Sequence, residues 1–159
     1  MRQTESLRST FETHKPEIGR SLPNCGPIST LDRYLAMETH STQPAVLVVE
    51  DEWIIRLHAR TVVEDAGFCV VEAADADEAL KVFEANPNIK ALFTDINMPG
   101  KLDGLELAHE VHARRPDVRL IITSGRVRPS RDRIPDDGIF LSKPYSEEAV
   151  VRSLAGLLH

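Results

Sequence analysis

Between Ala45 and the carboxyl terminus, short apolar runs alternate with helical patterns five times. Ala45 to Val49 is unbroken by any polar residue, the pattern of a short strand covered on both faces. From Glu52 to Ala66 the spacing turns helical, with Ile54, Leu57, Thr61 and Val62 on one face and Gly67 as the stop. Phe68 to Glu72 is a second strand. Asp75, with Glu78 three residues on, opens a helix that buries Ala76, Ala79, Leu80 and Phe83 and ends before Pro87. Ile89 to Thr94 is a third strand, Leu105 to Arg114 a helix stopped by Pro116, and Val118 to Thr123 a fourth strand. Gly138 to Ser142 is the fifth, and Ser146 caps a last helix with Val150, Val151, Leu154, Leu157 and Leu158 inward. Strands that alternate with helices predict an α/β fold, a doubly wound five-stranded parallel sheet with helices on both faces. The connection from Ser124 to Asp137 breaks the pattern. It carries Pro129, Pro135 and four arginines and no sustained apolar stripe, so the fourth helix should be short or irregular.

Residues 1 to 44 differ from the rest, with eleven Ser or Thr, four Pro and no steady apolar period. Such a composition does not bury enough surface to offset ordering entropy, so a disordered amino-terminal extension is expected, followed by one domain over 45 to 159. One short helix in Ile28 to Met37 is the exception to consider, and Met37 is an alternative translation start. The 159 residues carry a net charge of −6, which argues against nucleic acid as a partner. No apolar run approaches a membrane span, and no signal-peptide pattern opens the chain, so no membrane insertion is expected. With only Cys25 and Cys69, a disulfide framework is not expected and a reducing, cytoplasmic compartment is.

The chemistry gathers at the strand ends. Glu50 and Asp51 follow the first strand, Asp95 the third, Thr123 closes the fourth, and Lys143 follows the fifth. In an open parallel sheet these carboxyl ends share one edge, where ligands bind. Crowded carboxylates raise one another's pKa and are tolerated chiefly as a cradle for a divalent cation. A hydroxyl and an ammonium beside them suit a phosphoryl group.

Val48-Val-Glu-Asp-Glu52, Thr94-Asp-Ile-Asn-Met-Pro-Gly100, Ile122-Thr-Ser124 and Ser142-Lys-Pro-Tyr145, in this order and spacing, resemble the receiver domain of bacterial two-component response regulators. The resemblance covers residues 45 to 158 and implies a flavodoxin-like fold of the receiver type. It implies that Asp95 is the phosphoacceptor, charged from a sensor histidine kinase or a histidine phosphotransfer protein in a phosphorelay. Mg²⁺ would be held by Asp51, Asp95 and the backbone carbonyl of Asn97, with Glu50 acting through water. Lys143 and Thr123 would contact the phosphoryl group, Ser124 replacing Thr123 if strand four ends one residue later. Thr123 and Phe140 would form the switch. With no output domain after Lys143, a stand-alone receiver signalling to a downstream protein is expected, and no enzyme beyond self-phosphorylation and self-dephosphorylation.

Two other classes compete. A haloacid-dehalogenase-like phosphatase also uses an Asp nucleophile, Mg²⁺, a hydroxyl and a Lys, but it wants an acid two residues on, where Asn97 stands. A degenerate receiver that only binds a partner is the other. His109 and His112 share a helix face at i, i+3 but lack further ligands, so solvated histidines are expected rather than zinc. His58 is expected at the surface and Cys69 as a small buried hydrophobe, while Trp53 is placed either on the sheet edge or beside the site.

Overall fold

The computed structural model describes residues 44–155. The expectations for residues 1–43, for Cys25 and for Leu157 and Leu158 lie outside the described residues. In chain order the elements are β1 (Ala45–Val49), α1 (Trp53–Asp65), β2 (Cys69–Ala73), α2 (Ala76–Ala85), β3 (Ile89–Asp95), α3 (Gly104–Arg114), β4 (Arg119–Ser124), a 3₁₀ turn (Arg131–Arg133), β5 (Ile139–Ser142) and α4 (Glu147–Leu154). All strand pairs are parallel, in the order β2-β1-β3-β4-β5. The order reverses between β1 and β3, which places a crevice at the carboxyl ends of these two strands.

The alternation of side chains along each strand feeds two cores. Leu47, Val49, Leu92 and Ile122 point to one face and meet Ala79, Phe83, Leu107 and Val111 of α2 and α3. Val46, Val48, Phe93 and Ile121 point to the other and meet Ala59, Val63, Val150 and Leu154 of α1 and α4. Each fully buried side chain of this size contributes about 1.5–3 kcal/mol, so the central strands anchor the crevice firmly.

Three helices start as capping chemistry dictates. Asp75 accepts from the Glu78 N–H, Asp103 and Glu106 form a reciprocal capping box, and Ser146 accepts from the Ala149 N–H. The Asp103 box begins α3 one residue before Leu105, a start that the Asp-x-x-Glu pattern contains. Two helix faces need correction. On α1 the buried residues are Ala59, Val62 and Val63, while Ile54 and Leu57 are 62% and 50% exposed. The small Ala59 lets the helix approach the sheet, and the apolar stripe therefore turns away from Ile54. On α4, Val151 is exposed, with Val150 and Leu154 inward. Cys69 is half-buried on β2, where the sequence suggests a small buried hydrophobe.

The fourth crossover has no α-helix, only the 3₁₀ turn. It is fastened by Ile134, buried against the core, by the Arg131 guanidinium donating to the Gly138 carbonyl at 2.8 Å, and by the His109 ring on the Arg133 carbonyl at 2.9 Å.

Candidate functional site

Register brings the polar strand ends together. Val49 of β1 pairs with Thr94 and Asp95 pairs with Thr123, so Glu50, Asp51 and Asp95 emerge at neighbouring places on the edge. Glu50 and Asp95 are buried and Asp51 is exposed. One carboxylate oxygen from each lies within 4.8 Å of the others. Lys143 reaches the same place from beyond β5, its Nζ 2.6 Å from Glu50 Oε2 and 3.1 Å from Asp95 Oδ1. Its backbone N–H donates to the Ser124 carbonyl at 2.9 Å, which ties the end of β5 to the end of β4. The Lys143–Pro144 peptide is cis.

The charges modify one another. Burial pushes the Glu50 carboxyl above its ordinary range, and the bond and charge of Lys143 oppose that without reversing it. Burial alone would lower Lys143, but the hydrogen bond to Glu50 and the charges of Asp95 and Glu50 outweigh it and leave its pKa raised. Lys143 is therefore an ammonium across the physiological range. Tyr145, just behind it, is pushed up to about 12 by burial first and by the charges of Glu50 and Asp95 next.

Three carboxylates against one ammonium leave a formal charge of −2 in a half-covered crevice. Asp95 Oδ2 accepts from the Asn97 N–H at 3.2 Å, whereas buried Oδ1 accepts no hydrogen bond and meets only the Lys143 ammonium. A carboxylate oxygen in that condition, beside two further carboxylates, fits a hard divalent cation that takes oxygen ligands.

The hydroxyls are arranged differently from expectation. Thr123 is fully buried and donates to the Thr94 carbonyl at 3.3 Å, inside the sheet. β4 extends one residue further, to Ser124, whose Oγ accepts from the Asn97 side-chain amide at 2.9 Å and from the N–H groups of Arg126 and Val127 at 3.3 and 3.2 Å. The hydroxyl linked to the Asp95 loop is thus Ser124 in place of Thr123, because the strand end sets which side chain meets Asn97. Phe140 is half-buried on the core, with the Arg128 guanidinium 6.0 Å above its ring, at the outer reach of a cation–π contact.

Several participants have no role assigned to them by the sequence. Gly104 opens α3 with its N–H on the Ile96 carbonyl at 3.0 Å, and a Cβ there would lie 1.8 Å from the Asp95 carbonyl oxygen. The Asp-Gly pair before Leu105 is its only sequence signal. Tyr145 packs edge-on against Phe93 with centroids 5.5 Å apart, His58 stacks on its other side, and its hydroxyl is buried without a hydrogen-bond partner. These two rings, with Ile55, Lys143 and Pro144, line a cavity of about 350 Å³ beside the carboxylates. Trp53, at the start of α1, is 66% exposed rather than packed on the sheet. His109 is bonded to the Arg133 carbonyl, and among the described residues the only metal-like group is Glu50, Asp51 and Asp95.

Comparison with known proteins agrees with this geometry. The family model of the response regulator receiver domain matches residues 46–155. Protein PilG of Pseudomonas aeruginosa is 31% identical over 124 residues, covering 74% of this chain and 90% of PilG. The sensor kinase CckA of Brucella abortus is 28% identical over 94% of this chain, which spans only 16% of that kinase. The transcriptional regulator DctD of Rhizobium meliloti is 33% identical over 71% of this chain, which spans a quarter (25%) of that regulator. Among solved structures, a receiver domain protein of Clostridium thermocellum superposes with a TM-score of 0.64 at 26% identity, covering 72% of this chain and 94% of that one. The receiver domain of the hybrid histidine kinase CckA gives 0.61 at 29%, covering 72% and 99%.

Proposed function

The chain belongs to the family of response regulator receiver domains, and from that premise we propose that its crevice accepts a phosphoryl group on Asp95. The donor is a phosphohistidine carried by a sensor histidine kinase or a histidine phosphotransfer protein. An Asp95 carboxylate oxygen attacks phosphorus, the P–N bond breaks, the imidazole leaves with the electron pair and takes up a proton, and Asp95 becomes an acyl phosphate. Asp51, Asp95 and the Asn97 carbonyl would hold Mg²⁺ directly and Glu50 through water. When bound, the ion neutralises charge that would otherwise repel the incoming phosphate.

The chain's own residues supply the rest. Lys143 leaves part of its pairing with Asp95 to meet a phosphate oxygen, and Ser124 turns its hydroxyl towards the same group. The cavity lined by Ile55, His58, Pro144 and Tyr145, which Lys143 also borders, offers the donor an apolar seat next to the acceptor. Turnover is limited to the chain's own phosphorylation and hydrolysis, and the signal passes to a downstream protein in the bacterial cytoplasm rather than to nucleic acid. The observation that carries this reading is the buried Asp95 carboxylate, 3.1 Å from the Lys143 ammonium and clustered with those of Glu50 and Asp51. Incubation with acetyl phosphate should add one phosphate mass only when Mg²⁺ is present. Equal labelling in excess chelator would count against the reading.

A further inference from the structure

The loop that offers Glu50 and Asp51 is fastened differently from every other start of an α-helix among the described residues. α2, α3 and α4 open on side-chain caps, whereas Glu52, which precedes α1, makes no side-chain cap hydrogen bond. What holds this loop is Arg56, one turn into α1. Its Nη1 donates to the Glu50 carbonyl at 2.6 Å and lies 3.5 Å from the Asp51 carbonyl, while its Nε faces Glu72 of β2 at 3.6 Å. The side chain is 21% exposed, so the guanidinium is largely sheltered. Glu72 is itself held by Arg60 at 3.1 Å, and Arg60 by Glu64 at 2.9 Å, which fixes the far side of the clamp.

We propose that Arg56 is a positioning residue of the metal-binding edge: by gathering the carbonyls of Glu50 and Asp51 on one guanidinium nitrogen, it fixes the backbone from which both acidic side chains project. The proposal rests on the Mg²⁺ site of the reading above. It carries a sign that plain electrostatics does not. A cation in the same loop as the carboxylates competes with a divalent ion through space, so if charge were all that mattered, its removal would tighten Mg²⁺ binding. If the clamp dominates, removal weakens binding, as loss of groups that orient metal ligands does.

Arg56→Met keeps the apolar stem and removes both carbonyl bonds, and Arg56→Lys keeps the charge with a single-point donor. Mg²⁺ titration of the full chain, read by Trp53 fluorescence and checked by calorimetry, should show Kd raised about tenfold in Arg56→Met, the lower end for residues that support a metal site, and less in Arg56→Lys. Thermal unfolding in chelator reports stability separately. An Arg56→Met Kd that is unchanged or lower, whatever the melting temperature, overturns the proposal. Should Arg56→Met not fold, Arg56→Lys decides: a Kd equal to that of the unaltered chain overturns it, and a raised Kd with a normal melting temperature supports it. If the unaltered chain itself binds no Mg²⁺, the metal reading fails and the clamp with it, a result distinct from equal binding by both.

Discussion

The crossover into β4 and the crossover out of it solve the same problem in opposite ways. α3 leaves β3 through a capping box, packs Leu105, Leu107, Ala108 and Val111 into the core, and brings its first residue so close to Asp95 that only hydrogen fits at Gly104. The segment from Gly125 to Gly138 leaves β4 without an α-helix. Its first residues hang on one side chain, Ser124, whose hydroxyl serves Arg126, Val127 and Asn97 at once. Helical ladders need no help from the site, whereas a loop held by a site hydroxyl responds to whatever that hydroxyl does next. One edge of the crevice is thus held by its own helix, and the other by a hydroxyl at the end of β4.

The largest expected effect breaks the rigid side. Gly104→Ala forces Cβ against backbone that cannot give way, so it should cost about 3 kcal/mol or more in denaturant unfolding. Gly125→Ala, where the nearest heavy atom to a new Cβ is 3.6 Å away, should stay within about 0.5 kcal/mol. Comparable losses at the two glycines would erase the contrast.

Next in size is the responsive side. Ser124→Ala removes the acceptor for two backbone N–H groups, at about 1 kcal/mol, and should speed amide exchange at Arg126 and Val127. Thr123→Val loses its bond to Thr94 at a similar cost but should leave that exchange, and phosphorylation, unchanged. If Thr123→Val abolishes phosphorylation while Ser124→Ala does not, the assignment of the hydroxyl reverts to Thr123.

The smallest effect is a titration. Tyr145 should ionise near 12, and since its pKa in the unfolded chain is the ordinary 10.0, its contribution to stability is full below 10.0 and lost as pH rises through about 12. Asp95→Asn removes one of the two neighbouring charges and should lower the value, by less than burial raises it. An absorbance titration identical in the two proteins would show that the crevice charge does not reach Tyr145.

The same contrast explains what the sequence made legible. Strands read clearly because the central ones are buried on both faces, and Asp75 and Ser146 read clearly as caps because their chemistry is local. The carboxylates and Lys143 are visible because each stands one or two residues beyond an apolar run. The α1 face is not legible because Ala59, a small residue, faces the sheet while the larger Ile54 and Leu57 face solvent. The choice between Thr123 and Ser124 stays open in the sequence because the end of a strand is set by hydrogen bonds to its neighbours, which composition does not encode. Gly104 and Arg56 act on backbone atoms of the crevice, contacts that a pattern of side chains barely marks, the Asp103-Gly104 pair being the one trace.

The central claim is that Asp95 is the acceptor, and chemical trapping tests it at the residue itself. After exposure to a phosphodonor with Mg²⁺, borohydride reduction converts an acyl phosphate to a primary alcohol, which tandem mass spectrometry locates in the peptide. The account predicts that modification at position 95 alone, and none in Asp95→Asn. A reduced carboxyl at Asp51 or Glu50, or undiminished labelling of Asp95→Asn, would contradict it.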